Sequence, residues 1–412
     1  MKTLIKAALV IDSRSKHHGK KRDILIENQQ IVKIGANITE PKAKVISEKN
    51  LTVSPGWVDL KAFLADPGFE HKETIESGLR AAEKGGFKYV VSTPLTSPVI
   101  DTKGQVEYIL SQSKTSKVNL LPTGCLSKKG EGKQLADMYD MSKAGAVAFT
   151  DDKHNVGTEL MVRALDYSRN FGGLIISFPY DPGVNPGAMV HEGLTSVQMG
   201  MKGLSAASEE IRLRRDIELL RYVGGRMHVS LISTAGSVAL IRQAKKDGLN
   251  ITCAIAAHQL SFTDEDMMGF DSALKVFPPF RTKEDQKAII KGLKDGTIDA
   301  ICSDHTPEEI EHKDLEFEYA SNGISSIQTA FSVAMTALSN ELELSNIIEK
   351  FSTGPASVLG ISYPVIEEGQ EASLTIFDDK TERTFGKEEW ESKSFNSPFF
   401  HKKLIGRVYG II

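Results

Sequence analysis

Short runs in which apolar and polar positions alternate open the chain: "LIKAALVID", "RDILIEN", "QIVKIGA" and "AKVISEK", separated by Gly, Asn and Asp. A period of two with such breaks predicts strands over residues 1–53. From Pro55 the pattern changes. Apolar runs of strand length, "WVDLKAF", "KYVVSTP", "NLLPTG", "AVAFTD", "LIISFP", "MHVSLIS", "ITCAIAA" and "DAICSD", alternate with longer stretches of helical spacing. "TIESGLRAAEKGG" and "EEIRLRRDIELLRYVGG" both stop on paired glycines, which suit a left-handed helix C-cap. Eight strands alternating with helices predict an α/β fold, a closed (β/α)8 barrel over residues 54–365. "GQEASLTIFDDK" and the final "LIGRVYGII" return to alternation. Residues 1–53 and 366–412 are therefore expected to pair as one composite β-sandwich domain beside the barrel. The connection between the fifth and sixth barrel strands, residues 180–225, is long enough to serve a binding or subunit surface.

Composition narrows the function classes. The chain has 412 residues, 40% hydrophobic and 25% charged, ordinary for a globular protein. A formal net charge of -4 gives no electrostatic case for nucleic acid or an anionic membrane as partner. The one basic run, "SKHHGKKRD", lies between two predicted strands and reads as a solvated hairpin turn. Cys125, Cys253 and Cys302 are far apart in or beside apolar runs, as expected of buried thiols in a reducing compartment. The N-terminal segment carries no signal-peptide cleavage pattern, and no run reaches the ~20 apolar residues that span a membrane. A cytoplasmic protein is the expectation.

In a barrel of this kind chemistry belongs at the C-terminal ends of the strands. Those ends offer Lys61 and Phe63, Leu95, Asp151 and Asp152, Phe178 and Tyr180, Leu231 and Ser233, His258, and Asp304 with His305. A divalent metal would need several imidazoles and carboxylates converging on one point. Ten histidines are present, yet no His-x-His and no His-Glu-x-x-His occurs. A mononuclear site of Asp151, Asp304 and one His is the remaining metal option. There is no G-x-S-x-G nucleophile elbow. "STAGSVALI" reads as a helix N-cap before it reads as an anion site. Asp304 in "SDHTP" either moves protons or simply opens a turn.

The ordered anchors "SPGWVDL", "DPGFEHKETIESGLRAAEKGGF", "PLTSPVID", "GAVAFTDD", "HEGLTSVQMGMKG", "LISTAGSVALIRQAKKDGLNIT" and "LKVFPPFRTKEDQKAIIKGLKDGTIDAICSDHTP" resemble the class I dihydroorotases of the amidohydrolase superfamily, along nearly the whole chain. The resemblance implies an amidohydrolase-type barrel that closes carbamoyl aspartate to dihydroorotate using one or two zinc ions. It also implies six metal-ligand positions, which fall on Lys61, Phe63, Asp151, Phe178, Leu231 and Asp304. Only Asp151 and Asp304 keep a ligand. The implied substrate-binding positions fall on Ala65, Leu95, Phe277 and Glu308, none of which keeps the family's residue.

Loss of that much of the site sets three expectations. The first is a non-catalytic dihydroorotase homologue, a pseudoenzyme without cofactor that supports aspartate transcarbamoylase, itself in a homo-oligomer, or both. The alternative is an active cyclic amidohydrolase, acting on dihydroorotate or a related cyclic amide or imide through a rebuilt site around Asp304, with His305 and His258 nearby and zinc as its only expected cofactor. A metabolite-binding protein is the third. Two buried carboxylates without a cation would shift their pKa upward or destabilise the fold. Lys61 is accordingly expected to pair with Asp151, Asp304 or both.

Overall fold

The structure, a computed structural model, describes residues 2–412. Eight parallel strands follow one another around a barrel: β1 (Trp57–Ala62), β2 (Phe87–Ser92), β3 (Asn119–Gly124), β4 (Ala148–Phe149), β5 (Leu174–Ser177), β6 (Arg226–Val229), β7 (Ile251–Ala256) and β8 (Ala300–Cys302). The strand order is sequential from β1 to β8. The last gap closes just beyond β8, where Ala62 bridges His305 and the Phe63 amide donates to the His305 carbonyl at 2.8 Å. That bridge places the ends of β1 and β8 side by side at the mouth. The inward faces of the strands pack on one another through Val58, Leu60, Val91, Ala254 and Ala300, so the barrel is a filled core and not a pore.

The helices form where their caps and apolar stripes predict them. In the helix Ile75–Gly85, the Thr74 side chain accepts a bond from the Ser77 amide, a cap worth about 1 kcal/mol. The helix stops at Gly86, whose φ of 89° is left-handed. A Cβ at Gly86 would also lie 2.7 Å from the Trp57 ring, so no other residue fits there.

The terminal segments come together in one sheet. They form one mixed seven-stranded sheet in the order Lys403–Ile411, Leu374–Thr384, Thr52–Pro55, Lys2–Val10, Lys21–Glu27 and Gln30–Gly35, with Lys44–Ile46 also pairing to Lys2–Val10. Trp57 joins this sheet to the barrel. Its buried ring meets Phe331 at 4.4 Å, Phe377 at 5.2 Å and Phe351 at 5.7 Å, and its indole donates to Ser54 Oγ at 2.9 Å. The connection from β5 to β6 is not structureless. It holds the short parallel pair Val190–His191 and Gly203–Leu204, a one-and-a-half-turn helix (Leu194–Met199), and the long helix Ala206–Val223. No helix among the described residues is long and apolar enough to cross a membrane.

Candidate active site at the barrel mouth

A cavity of about 400 Å³ opens at the C-terminal ends of the strands. Lys61 and Phe63 from the end of β1, Thr93 and Leu95 after β2, Asp152 and Lys153 after β4, and Asp304 after β8 line it. Four residues around this end of the barrel hold a left-handed backbone that non-glycine residues rarely adopt: Ala65 (φ 60°), Asp152 (φ 46°), Leu231 (φ 57°) and Asp304 (φ 49°). Each costs about 1–3 kcal/mol. Strain of this kind persists where the surrounding structure fixes a side chain's aim, and clusters of it mark functional sites.

Lys61 is 6% exposed, and its ammonium pairs with Asp152. It also lies 5.2 Å from the centre of the Phe178 ring, over its face. Burial pulls the Lys61 pKa down, but Asp152 first and Asp304 second outweigh it and hold the group above its ordinary value. Asp152 answers in kind: burial would raise its pKa, and Lys61 overrides this and keeps it low. The pair stays ionised.

This corrects the choice of carboxylate. Asp151, one of the two carboxylates expected to face Lys61, does not line the cavity. It accepts from the Ser127 amide at 2.9 Å and from the Ser127 hydroxyl, and it pins the β3 loop. The left-handed turn at Asp152 aims the second aspartate inward in its place.

Asp304 behaves differently. It is 4% exposed, it lines the cavity, and its Oδ1 has no hydrogen-bond partner. Burial pushes its pKa up to about 6, against the opposing ammoniums of Lys153 and Lys61. Its position is held from behind. Asp59 accepts from the Ser303 amide at 2.8 Å and from the Ser303 hydroxyl, fixing the residue next to it. The Thr93 hydroxyl is also buried without a partner on the cavity wall. Buried polar groups are nearly always satisfied, so two orphans on one cavity point to something polar that comes and goes.

His305 is held by other groups, and His258, whose Nδ1 has no hydrogen-bond partner, does not line the cavity. His305 accepts from the Ser326 amide at its Nδ1 (3.1 Å), leaving Nε2 to donate to Glu73 at 3.3 Å. Glu73 is in turn held by Ser77 and Ser392 hydroxyls and the Lys393 amide. His258 is buried behind the mouth, edge-on to Phe280 at 5.7 Å. Burial, aided by Lys153, drops its pKa to about 3, so its ring is neutral. With both His305 nitrogens engaged and His258 outside the cavity lining, neither is placed for proton transfer to a ligand.

The positions that the resemblance implies for substrate (Ala65, Leu95, Phe277 and Glu308) and for the metal (Leu231) hold packed or paired side chains. Phe277 stacks on Phe178 at 5.8 Å and meets Tyr180 edge-on at 4.8 Å. Ala65 is fully buried, Leu231 is packed in the barrel core, and Leu95 lines the cavity. Glu308 pairs with Lys72 at 2.8 Å. Lys153 and Thr93 were not singled out from the sequence, and Asp152 was named only beside Asp151 at the end of β4. The pair Asp151-Asp152 was visible there, but which carboxylate faces inward depends on a backbone flip that no side-chain pattern announces.

The chain's similarities agree with this architecture. Residues 50–237 match the family model described as dihydro-orotase-like. A dihydroorotase of Acetivibrio thermocellus is 41% identical over 98% of this chain and 96% of its own length. One of Pelotomaculum thermopropionicum is 38% identical over 100% and 97%, and one of Ruminiclostridium cellulolyticum is 41% identical over 99% and 96%. Among solved structures, the L-hydantoinase (dihydropyrimidinase) of Arthrobacter aurescens superposes with a TM-score of 0.87 at 21% identity, covering 100% of this chain and 94% of that one. The dihydropyrimidinase of Brevibacillus agri follows at 0.84 and 19%, with the same coverage. At such identities these structures establish the shared fold.

The end-to-end relatives correct the main functional expectation. They are named for a catalytic activity and align over nearly the full length, which favours a catalytic chain over a non-catalytic support for aspartate transcarbamoylase. The expectation that the chain is not an enzyme falls with it. The residues at the mouth nonetheless do not fit the zinc that the family implies. Lys61, Phe63, Phe178 and Leu231 stand at four of the positions where the resemblance implies ligands, and Asp151 is bound to Ser127. No three His, Cys, Asp or Glu side chains converge on a point among the described residues.

Proposed function

Since this chain belongs to the dihydroorotase family, we propose that its barrel mouth opens and closes a cyclic amide or imide ring of the dihydroorotate type, with Asp304 moving the proton and Lys61 supplying the positive charge. The observation that carries this reading is the Asp304 carboxylate: buried, lining the cavity, with no hydrogen-bond partner at Oδ1, and with its pKa pushed up to about 6. A carboxyl poised near neutrality at a cavity is suited to general acid–base work.

In the ring-opening direction, ionised Asp304 accepts a proton from water as the water oxygen bonds to the ring carbonyl carbon. Negative charge then gathers on the carbonyl oxygen, where the desolvated Lys61 ammonium stabilises it. Collapse of this adduct breaks the ring C–N bond, and the proton on Asp304 passes to the departing nitrogen. One water is consumed, one C–N bond is lost, and Asp304 returns to its ionised form. Thr93 offers a hydroxyl to a ring carbonyl or N–H, and Phe63 and Leu95 cover its apolar edge. Unaided water keeps a pKa near 15.7, so this route lacks the ready hydroxide of a metal site and is expected to be slow.

Turnover of dihydroorotate and of dihydrouracil, followed by loss of the ring amide absorbance, tests the reading. Measurable ring opening that falls at least a hundredfold in Asp304→Asn supports it. No turnover of either ring by the wild-type chain, or turnover that Asp304→Asn leaves intact, overturns it.

A further inference from the structure

Three lysines line the mouth: Lys61, Lys72 and Lys153. Two are already neutralised. Lys61 is paired with Asp152, and Lys72 is paired with Glu308. Lys153 has neither a hydrogen bond nor an ion pair among the described residues. It is not a solvent-facing bystander, because its charge acts on Asp304, Asp152 and the buried His258. It stands on the wall between the cavity and an adjoining opening also lined by Lys129, His154 and the pair Lys133–Glu131 (3.1 Å). An anion can approach it from that side.

We propose that Lys153 is the specificity-determining residue of the mouth, anchoring a carboxylate carried by the cyclic amide substrate. The residue expected to do this from the end of β1 is Ala65, which is fully buried and has no charge to offer. Moving the anchor to the β4 loop changes the substrate's orientation: its carboxylate turns toward β4 and away from β1, with the ring amide left beside Asp304 and Lys61. A lysine makes a point contact, where an arginine would grip both carboxylate oxygens. The site therefore fixes the distance between ring and carboxylate more than it fixes the carboxylate's plane. A neutral ring would leave the Lys153 ammonium, which only feels Asp152 and Asp304 at a distance, without a directly paired anion in a half-buried wall, and discrimination against such a ring follows.

This inference rests on the hydrolase reading for the nature of the ring, and binding separates the two. Calorimetric titration of the Asp304→Asn chain with dihydroorotate and with dihydrouracil, the same ring without the carboxylate, reads the preference without turnover. The expected result is at least tenfold tighter binding of dihydroorotate, a difference abolished by adding Lys153→Met and largely restored by Lys153→Arg. Equal affinity for the two rings, a preference that survives Lys153→Met, or no binding of either at millimolar concentration overturns it. A Lys153-dependent preference in a chain that turns over neither ring leaves the anchor standing and removes the hydrolase reading.

Discussion

Replacing Asp304 by Asn should cost the chain its chemistry and make it more stable. The carboxyl is buried, its pKa rises from 3.8 to about 6 on folding, and burial is the dominant cause. A group whose pKa is raised by folding contributes its stability below the unfolded value and loses it as pH climbs through the folded one. For Asp304 that window runs from 3.8 to about 6. The cost of ionising it in place is about 3 kcal/mol once both states are charged, and roughly half that at pH 5. An Asn of the same shape never carries this charge. The Asp304→Asn chain should therefore be more stable than the wild type by about 3 kcal/mol at pH 8, with the gap roughly halved at pH 5. Urea unfolding curves of both chains at the two pH values read the difference. A variant less stable than the wild type at pH 8, or a gap that ignores pH, would refute the reasoning.

Removing the other half of the site should act in the opposite sense. Lys61→Met strands Asp152 beside Asp304 and is expected to destabilise by about 3–5 kcal/mol in urea melts, with most of the loss recovered when Asp152→Asn is added. Without recovery in the double variant, the Lys61–Asp152 pair is not the source of the effect. The rate of ring opening should climb as pH passes through about 6, where Asp304 becomes a base, and then level off; a rate that falls across that range contradicts the assignment. Gly86→Ala meets both a left-handed backbone and the Trp57 ring at 2.7 Å, and should lower stability by more than about 1 kcal/mol by thermal melting. An unchanged melting temperature would mean that the helix end relaxes freely.

The order of strands and helices was legible because period and punctuation report local geometry directly. The Thr74 cap and the Gly86 stop sit where their residue types predict, and the terminal segments meet in one sheet because both alternate with a period of two. The identity of the mouth was legible too. Lys61, Phe63, Phe178 and Leu231 stand at strand ends, and the fold brings them to one end of the barrel.

The aim of individual side chains was not legible. Asp151 and Asp152 are neighbours with the same chemistry, and only the positive φ at Asp152 sends one to Lys61 and leaves the other on Ser127. Lys153 escaped notice for a related reason, since an isolated lysine gains meaning only when its neighbours prove to be already paired. Taking lost ligands for lost chemistry was the deeper error. The pKa of Asp304 and its empty Oδ1 arise from packing across β1, β4 and β8, which residue types alone do not disclose.

The most direct test of the account is to measure turnover and zinc content on the same sample after exhaustive dialysis against a chelator. If Lys61 supplies the charge, ring opening persists in a chain holding far less than one zinc per molecule, and it disappears in Asp304→Asn. Activity that vanishes with the chelator and returns in proportion to added zinc would contradict it.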